Sequence, residues 1–128
     1  MKLLLDTHLL LWSAAHTAKL STAARVLLAD KSNELLFSVV SLWEIAIKHR
    51  LERDDFRVDA GILRRGLLDH GYSELAMTGA HVLAVGALPP IHRDPFDRML
   101  IAQALTEEIT LATADAKMAG YPGSIRLV

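Results

Sequence analysis

Residues 94–104 read Asp-Pro-Phe-Asp-Arg-Met-Leu-Ile-Ala-Gln-Ala, and this stretch predicts the start of a helix. Asp94 is a favourable N-cap, and Pro95 suits the first helical position, where its missing N–H breaks no hydrogen bond. Asp97 then falls in the first turn, where the helix dipole stabilises a carboxylate. Taken alone, Asp97 is explained as a helix-terminus residue. Three further acids, each close to the end of an apolar run, favour a second explanation.

On both sides of this stretch, short apolar runs alternate with helical patterns. Strands are predicted at Lys2–Leu5, Glu34–Ser38, Ser73–Ala76, Ile109–Ala112 and Ile125–Val128. Helices are predicted at Thr7–Ala15, from Ser21 to about Ala29, at Leu42–Lys48, from Asp59 to Gly71, from Thr78 to before Pro89, and from Asp94 onward. Such alternation is typical of crossover units in a parallel sheet. We therefore expect one α/β domain over residues 1–128, with a mostly parallel central sheet and helices on both faces.

The composition restricts the class of protein and of partner. The chain has 128 residues and is 52% hydrophobic, which suits a compact core and leaves apolar surface for self-association. Its 14 basic and 15 acidic side chains nearly cancel, so any nucleic-acid binding must use a local patch. Without cysteine, disulfides and thiolate zinc sites are excluded. We find no signal-peptide or membrane-spanning pattern and expect a cytoplasmic protein.

Four carboxylates occupy comparable positions along the predicted elements. Asp6 and Asp115 come just after buried strands. Glu44 lies early in the helix after the second strand, and Asp97 lies early in the helix before the fourth. Because ligands bind at the carboxyl ends of parallel strands, we expect these side chains to gather at one sheet edge. Clustered carboxylates repel one another unless a cation such as Mg²⁺ or Mn²⁺ lies between them. A metal held in this way generates hydroxide and stabilises a phosphate under in-line attack.

Each of these acids also has a purely structural explanation. Asp6 suits a helix start. Ser41 and Glu44 have the spacing of a capping box. Asp115 suits the turn that follows it. One by one these explanations stay open, but together they do not explain why acids follow the strands with so few other polar residues nearby. The six histidines show no metal-ligand spacing, and His92 is predicted to lie in a loop.

Four segments together resemble the PIN-domain family, most closely its small bacterial VapC-type toxins. The segments are Leu3 to His8, Ser41 to Ile45, Asp94 to Ala104, and Thr113 to Asp115. The resemblance covers nearly the whole chain in order and spacing, and it implies a Mg²⁺-dependent endoribonuclease in which Mn²⁺ substitutes. The implied catalytic and metal-binding residues are Asp6, Glu44, Asp97 and Asp115. Thr113 matches the hydroxyl residue two before the last acid and is taken as substrate-binding. The resemblance further implies an RNA substrate, a homodimer and a cognate antitoxin.

Contacts to the RNA are less sharply indicated. Arg98, beside Asp97, is predicted to contact a phosphate. The densest basic run, from Lys48 to Arg57, is interleaved with acids and also suits a solvated helix face. Asp94 is expected to act as an N-cap rather than as a metal ligand.

Two other functional classes remain open. A receiver-type phosphoryl-transfer domain also places acids at strand ends, but it requires a second acid beside Asp6 and a lysine near Thr113, and neither is present. A catalytically silent protein-interaction module would use only the apolar surface. A dinucleotide-binding domain is disfavoured because the first strand lacks a glycine-rich turn after it. Titration with a divalent metal distinguishes the silent module from the nuclease.

Overall fold

The computed structural model describes residues 1–128, and its central feature is a five-stranded sheet in which every pairing is parallel. The strands are β1 (Lys2–Leu5), β2 (Glu34–Ser38), β3 (Ser73–Leu75), β4 (Thr110–Thr113) and β5 (Ile125–Leu127). The helices are α1 (Thr7–Ala15), α2 (Thr22–Ala29), α3 (Val39–Arg50), α4 (Ala60–Asp69), α5 (Gly79–Val85) and α6 (Pro95–Glu107). Short 3₁₀ turns lie at Thr17–Lys19, Asp54–Phe56 and Met118–Gly120. The predicted α/β class is confirmed.

The strand order is β3-β2-β1-β4-β5, with β1 at the centre. Leu4 of β1 is in register with Leu36 on one side and Leu111 on the other. The order differs from the 2-1-3-4-5 order of receiver domains, so the receiver-type interpretation is wrong. The chain runs outward through β2 and β3 and then returns to β4 on the other side of β1. The switch point, where open α/β sheets bind their ligands, therefore lies between the carboxyl ends of β1 and β4.

Both faces of the sheet are covered by helices, as expected. Leu3 and Leu5 point into a core with α1, α2 and α4, whereas Leu4 points into a second core with α6. All three leucines are fully buried, which is the two-residue period of a strand covered on both sides. No helix combines the length and the apolarity that crossing a membrane requires.

Helix α3 begins at Val39, three residues before the predicted start at Leu42. The N-cap is Ser38, whose hydroxyl accepts a hydrogen bond from Val40 N–H at 3.0 Å. The two β-branched valines favour a strand in the sequence pattern, but Val40 is buried in the core beneath α6 as part of the helix. Tertiary packing has overridden their local preference.

Candidate metal centre

Two of the predicted acids lie at the switch point because they follow the two central strands. Asp6 comes directly after β1, and its backbone N–H donates to Ala112 O of β4 at 3.0 Å. Asp115 lies two residues beyond the end of β4. The carboxyl ends of β1 and β4 therefore bring these two acids together from opposite ends of the sequence.

Asp6 is almost completely buried and has a structural role as well. Its Oδ1 accepts from Leu9 N–H at 2.9 Å, which caps α1, and its Oδ2 accepts from the Thr113 hydroxyl at 2.5 Å. Burial raises the pKa of Asp6 above its ordinary value, although these two hydrogen bonds act in the opposite direction. The helix-start explanation of Asp6 is thus correct but incomplete. The same carboxylate also belongs to the group of acids near the carboxyl ends of the strands, which we call the acidic edge: Asp6, Glu44, Asp97 and Asp115.

Thr113 connects Asp6 to Asp115. Its hydroxyl donates to Asp6 and accepts from Asp115 N–H at 3.0 Å, and the whole residue is buried. These contacts make Thr113 a residue that orients two of the acids. The substrate contact predicted for it stays a prediction, and its buried side chain offers no exposed surface for one.

Glu44 lies in the second turn of α3, and the capping-box explanation of it is wrong. Ser41 is inside the helix, and its hydroxyl lies 3.0 Å from the Thr7 hydroxyl rather than at a helix terminus. Glu44 is 2% exposed, which is rare for a carboxylate without a specific reason. Its Oε2 accepts from the Lys48 ammonium, and its Oε1 has no hydrogen-bond partner.

Asp97 lies in the first turn of α6, three residues after the N-cap. As expected, Asp94 is the cap: its Oδ1 accepts from Phe96 N–H at 2.8 Å and from Asp97 N–H at 3.1 Å. Burial, followed by nearby negative charge, raises the pKa of Asp97 to about 8. The charges responsible belong to Asp94, Glu44, Asp6 and Asp115. Asp97 is therefore close to all three of the other predicted site acids, and the structure brings the four together.

His92 is a member of this cluster that the sequence pattern did not indicate. Its Nε2 lies 2.9 Å from Asp97 Oδ2 and 3.4 Å from Asp115 Oδ2. Its Nδ1 accepts from Asp94 N–H at 3.3 Å, which assigns the ring proton of the neutral tautomer to Nε2. The only signal in the sequence is a histidine shortly before the Asp94 cap. Since residues 89–93 carry no periodic pattern, that signal alone could not place the ring.

Arg98 makes contacts different from the predicted one. One terminal nitrogen, Nη1, donates to Pro89 O at 2.9 Å and to the Tyr121 hydroxyl at 3.0 Å. The other, Nη2, donates to Val85 O at 3.3 Å. Both terminal nitrogens are thus engaged with the chain's own polar groups, and the side chain ties the loop before α6 to the helix. Neither terminal nitrogen of Arg98 is therefore free to make the predicted contact with a phosphate.

The family model of the PIN domain matches residues 3–123. The chain belongs to the PIN domain family. No curated protein matches it.

Solved structures similar to this PIN domain include three VapBC assemblies. VapBC2 from Rickettsia felis, bound to a DNA fragment from its promoter, has a TM-score of 0.75 and 14% identity, covering 100% of this chain and 99% of that one. DNA-bound VapBC from Salmonella typhimurium has a TM-score of 0.69 and 15% identity, covering 100% and 97%. VapBC-1 from nontypeable Haemophilus influenzae has a TM-score of 0.60 and 18% identity, covering 93% and 90%. At these identities the similarity establishes the fold.

The acidic edge of this PIN domain has the properties of a site for a hard divalent cation. Its donors are carboxylate oxygens and one imidazole, and Glu44 Oε1 is buried without a partner. Ligand atoms of His92, Asp97 and Asp115 lie within 4.8 Å of one another. The oxygens of Asp6 and Glu44 do not all fall within that distance, so the cluster is wider than one tight group. A cation would supply the partner that Oε1 lacks and relieve the repulsion that adds to the effect of burial on the pKa of Asp97.

Proposed function

We propose that this PIN domain is a metal-dependent endoribonuclease and the toxin of a toxin–antitoxin pair. The observation that carries the proposal is the carboxylate cluster at the switch point. In it the side chains of Asp6 and Glu44 are buried, Glu44 Oε1 has no partner, and burial and neighbouring charge raise the pKa of Asp97 to about 8. Proteins do not keep such a group of acids for stability, since repulsion and burial both oppose it. A cluster of this kind is typical of a functional site.

The proposed ligands of Mg²⁺, or of Mn²⁺ in its place, are Asp6, Glu44, Asp97 and Asp115. A bound ion of this class lowers the pKa of water and stabilises negative charge on a phosphate. The chain's own contribution is orientation: Thr113 fixes Asp6, and the Asp94 cap fixes the backbone of Asp97. His92 lies between Asp97 and Asp115, with its Nε2 2.9 Å from Asp97 Oδ2 and 3.4 Å from Asp115 Oδ2.

The proposed partners follow from the resemblance and from the similar structures. All three structures named above are VapBC assemblies, which supports a protein antitoxin as the partner of this chain. RNA as the substrate, a homodimer and a cytoplasmic location rest on the sequence and on the family resemblance. The overall charge of −1 gives no general attraction to RNA, so a local patch, together with the cation at the carboxylates, must supply the binding.

The direct test is cleavage of single-stranded RNA by the purified chain with Mg²⁺, with Mn²⁺ and with a chelator. The wild type is expected to cut only when metal is present. Asp97→Asn keeps the shape of the side chain but removes an anionic ligand. It is therefore expected to lose cleavage and most of the rise in melting temperature that Mn²⁺ produces. Without metal it should be at least as stable as the wild type, because asparagine cannot acquire the negative charge that burial and the neighbouring carboxylates oppose.

Asp59→Asn is the matched control, since Asp59 caps α4 by accepting from Ile62 N–H at 2.9 Å, away from the cluster. Asparagine is an equally good N-cap, so this variant should cut at the wild-type rate. Cleavage by Asp97→Asn at the wild-type rate would refute the assignment of Asp97. A wild type that binds no metal and cuts no RNA would instead favour the silent interaction module.

A further inference from the structure

The ion pair between Glu44 and Lys48 differs from the other Lys and Arg ion pairs of this protein. The two residues are one turn apart on α3, and Lys48 donates to Glu44 Oε2. The Glu44 side chain is 2% exposed and that of Lys48 is 22% exposed. Pairs at this spacing on a solvated helix contribute little to stability. The Glu44–Lys48 pair is not such a solvated pair, because Glu44 is buried and a buried carboxylate is strongly destabilising when it has no cation.

The ammonium of Lys48 is held by aromatic rings as well as by Glu44. It lies 4.7 Å from the centre of the Phe56 ring and 5.7 Å from the centre of the Phe96 ring. Both distances are within the range of cation–π attraction. Phe96 immediately precedes Asp97, so the ammonium lies between α3, the 3₁₀ turn at Asp54–Phe56 and the first turn of α6. Lys48 is a fixed positive charge beside the carboxylate cluster.

No other lysine or arginine pairs with the four carboxylates. Arg98 is the nearest alternative in sequence, and its terminal nitrogens are bound to backbone carbonyls and the Tyr121 hydroxyl. In the metal-bound site, where all four carboxylates are ionised as ligands, the ammonium of Lys48 leaves three of their negative charges uncompensated. One divalent ion reduces this to a single negative charge. A second ion would make the site positive before any phosphate arrives.

The cluster is also divided in space. Lys48 is bound at the Glu44 end, whereas the ligand atoms that lie within 4.8 Å of one another belong to His92, Asp97 and Asp115. We propose that Lys48 takes the place of a second metal ion, so that the free protein binds one divalent ion per chain. The inference rests on the proposed function only in requiring that the cluster binds a divalent metal. Glu44 Oε1 remains available to that ion or to one of its waters.

The test is a count of Mn²⁺ ions bound to chelator-treated protein near neutral pH, by calorimetry and by the spin-resonance signal of free Mn²⁺. The wild type should bind one ion per chain. Lys48→Met keeps the apolar stem against the rings but removes the charge, so the cluster should bind two ions. Lys48→Arg keeps the charge and should bind one. Lys19→Met, at the exposed pair with Asp55, is the matched control and should also bind one.

A double variant separates the effect of charge from that of the side chain. Glu44→Gln with Lys48→Met again leaves three negative charges, and it should return to one ion although the pair is lost. A merely structural role of Lys48 would leave Lys48→Met at one ion and would overturn the proposal. Two ions in the wild type would overturn it too, while leaving the nuclease function intact. A wild type that binds no Mn²⁺ would overturn both, and a single bound ion without RNA cleavage would overturn only the nuclease function.

Discussion

Asp97 dominates the electrostatics of the acidic edge, and its titration should be visible in the stability of the metal-free protein. Its pKa is about 8 when folded, against an ordinary value of 3.8, mainly because of burial and then because of neighbouring carboxylates. A raised carboxyl pKa means that the folded state holds the proton more tightly than the unfolded state does. The contribution of Asp97 to the free energy of unfolding is therefore greatest at low pH. It falls between about pH 4 and pH 8 and is constant above pH 8.

We accordingly expect the chelated wild type to lose about 1–2 kcal/mol of unfolding free energy between pH 6 and pH 8. Asp97→Asn should lose much less, and groups that titrate in both proteins cancel in the comparison. With saturating Mn²⁺ the free energy of unfolding should instead rise with pH, because metal and proton compete for the same carboxylate. Urea unfolding at a series of pH values measures this dependence for the chelated wild type, for Asp97→Asn and for the wild type saturated with Mn²⁺. Equal pH dependence in the two proteins would contradict the raised pKa of Asp97.

The loop between α5 and α6 is the element whose position matters most to the site, since it carries His92. Arg98 holds this loop through the carbonyls of Val85, Leu88, Pro89 and His92, at 3.3, 3.4, 2.9 and 3.4 Å. Tyr121 adds a second attachment by accepting from His92 N–H at 2.6 Å. The planar guanidinium reaches several acceptors at once, which a lysine ammonium on a flexible stem cannot reproduce.

Arg98→Lys should therefore loosen residues 86–93 while the sheet remains intact. Hydrogen exchange of the amides in this loop is expected to accelerate about tenfold, with little change in β1 and β4. Affinity for Mn²⁺ should also fall, because His92 and the Asp94 cap share the loosened segment. Arg93 is exposed and makes no hydrogen bond or ion pair, so Arg93→Lys is the control. Unchanged exchange in Arg98→Lys would show that the loop is held by its other contacts.

For the whole molecule, several large apolar side chains remain exposed outside the two hydrophobic cores. Leu83, at 81%, is the most exposed of the large apolar side chains, and its neighbour Val82 is 50% exposed. Both lie on α5, the short helix that packs against α6. An exposed apolar pair on a helix is a candidate for an interface between two copies of the chain.

We expect light scattering to give a mass of twice 14.1 kDa at micromolar concentration, with an interface burying more than about 1,000 Å² in total. Leu83→Lys should shift the protein toward the monomer by placing a charge in that interface. Ile62→Lys, on the exposed side of α4, is the control and should remain dimeric. A monomer mass for the wild type would contradict the dimer, and a dimeric Leu83→Lys would move the interface away from α5.

By itself the sequence determined the alternation of strands and helices, the ends of the strands to within one residue, and the acids that follow them. Periodicity and capping depend on residues within about four positions of one another, so these features can be read locally. The strand order and the identity of the cation beside Glu44 were decided only by the tertiary structure. So were the position of His92 and the carbonyls that engage Arg98. These depend on residues far apart in sequence, such as Lys48 and Phe96, meeting at the switch point of the sheet, and no local pattern specifies which distant partners a side chain will meet.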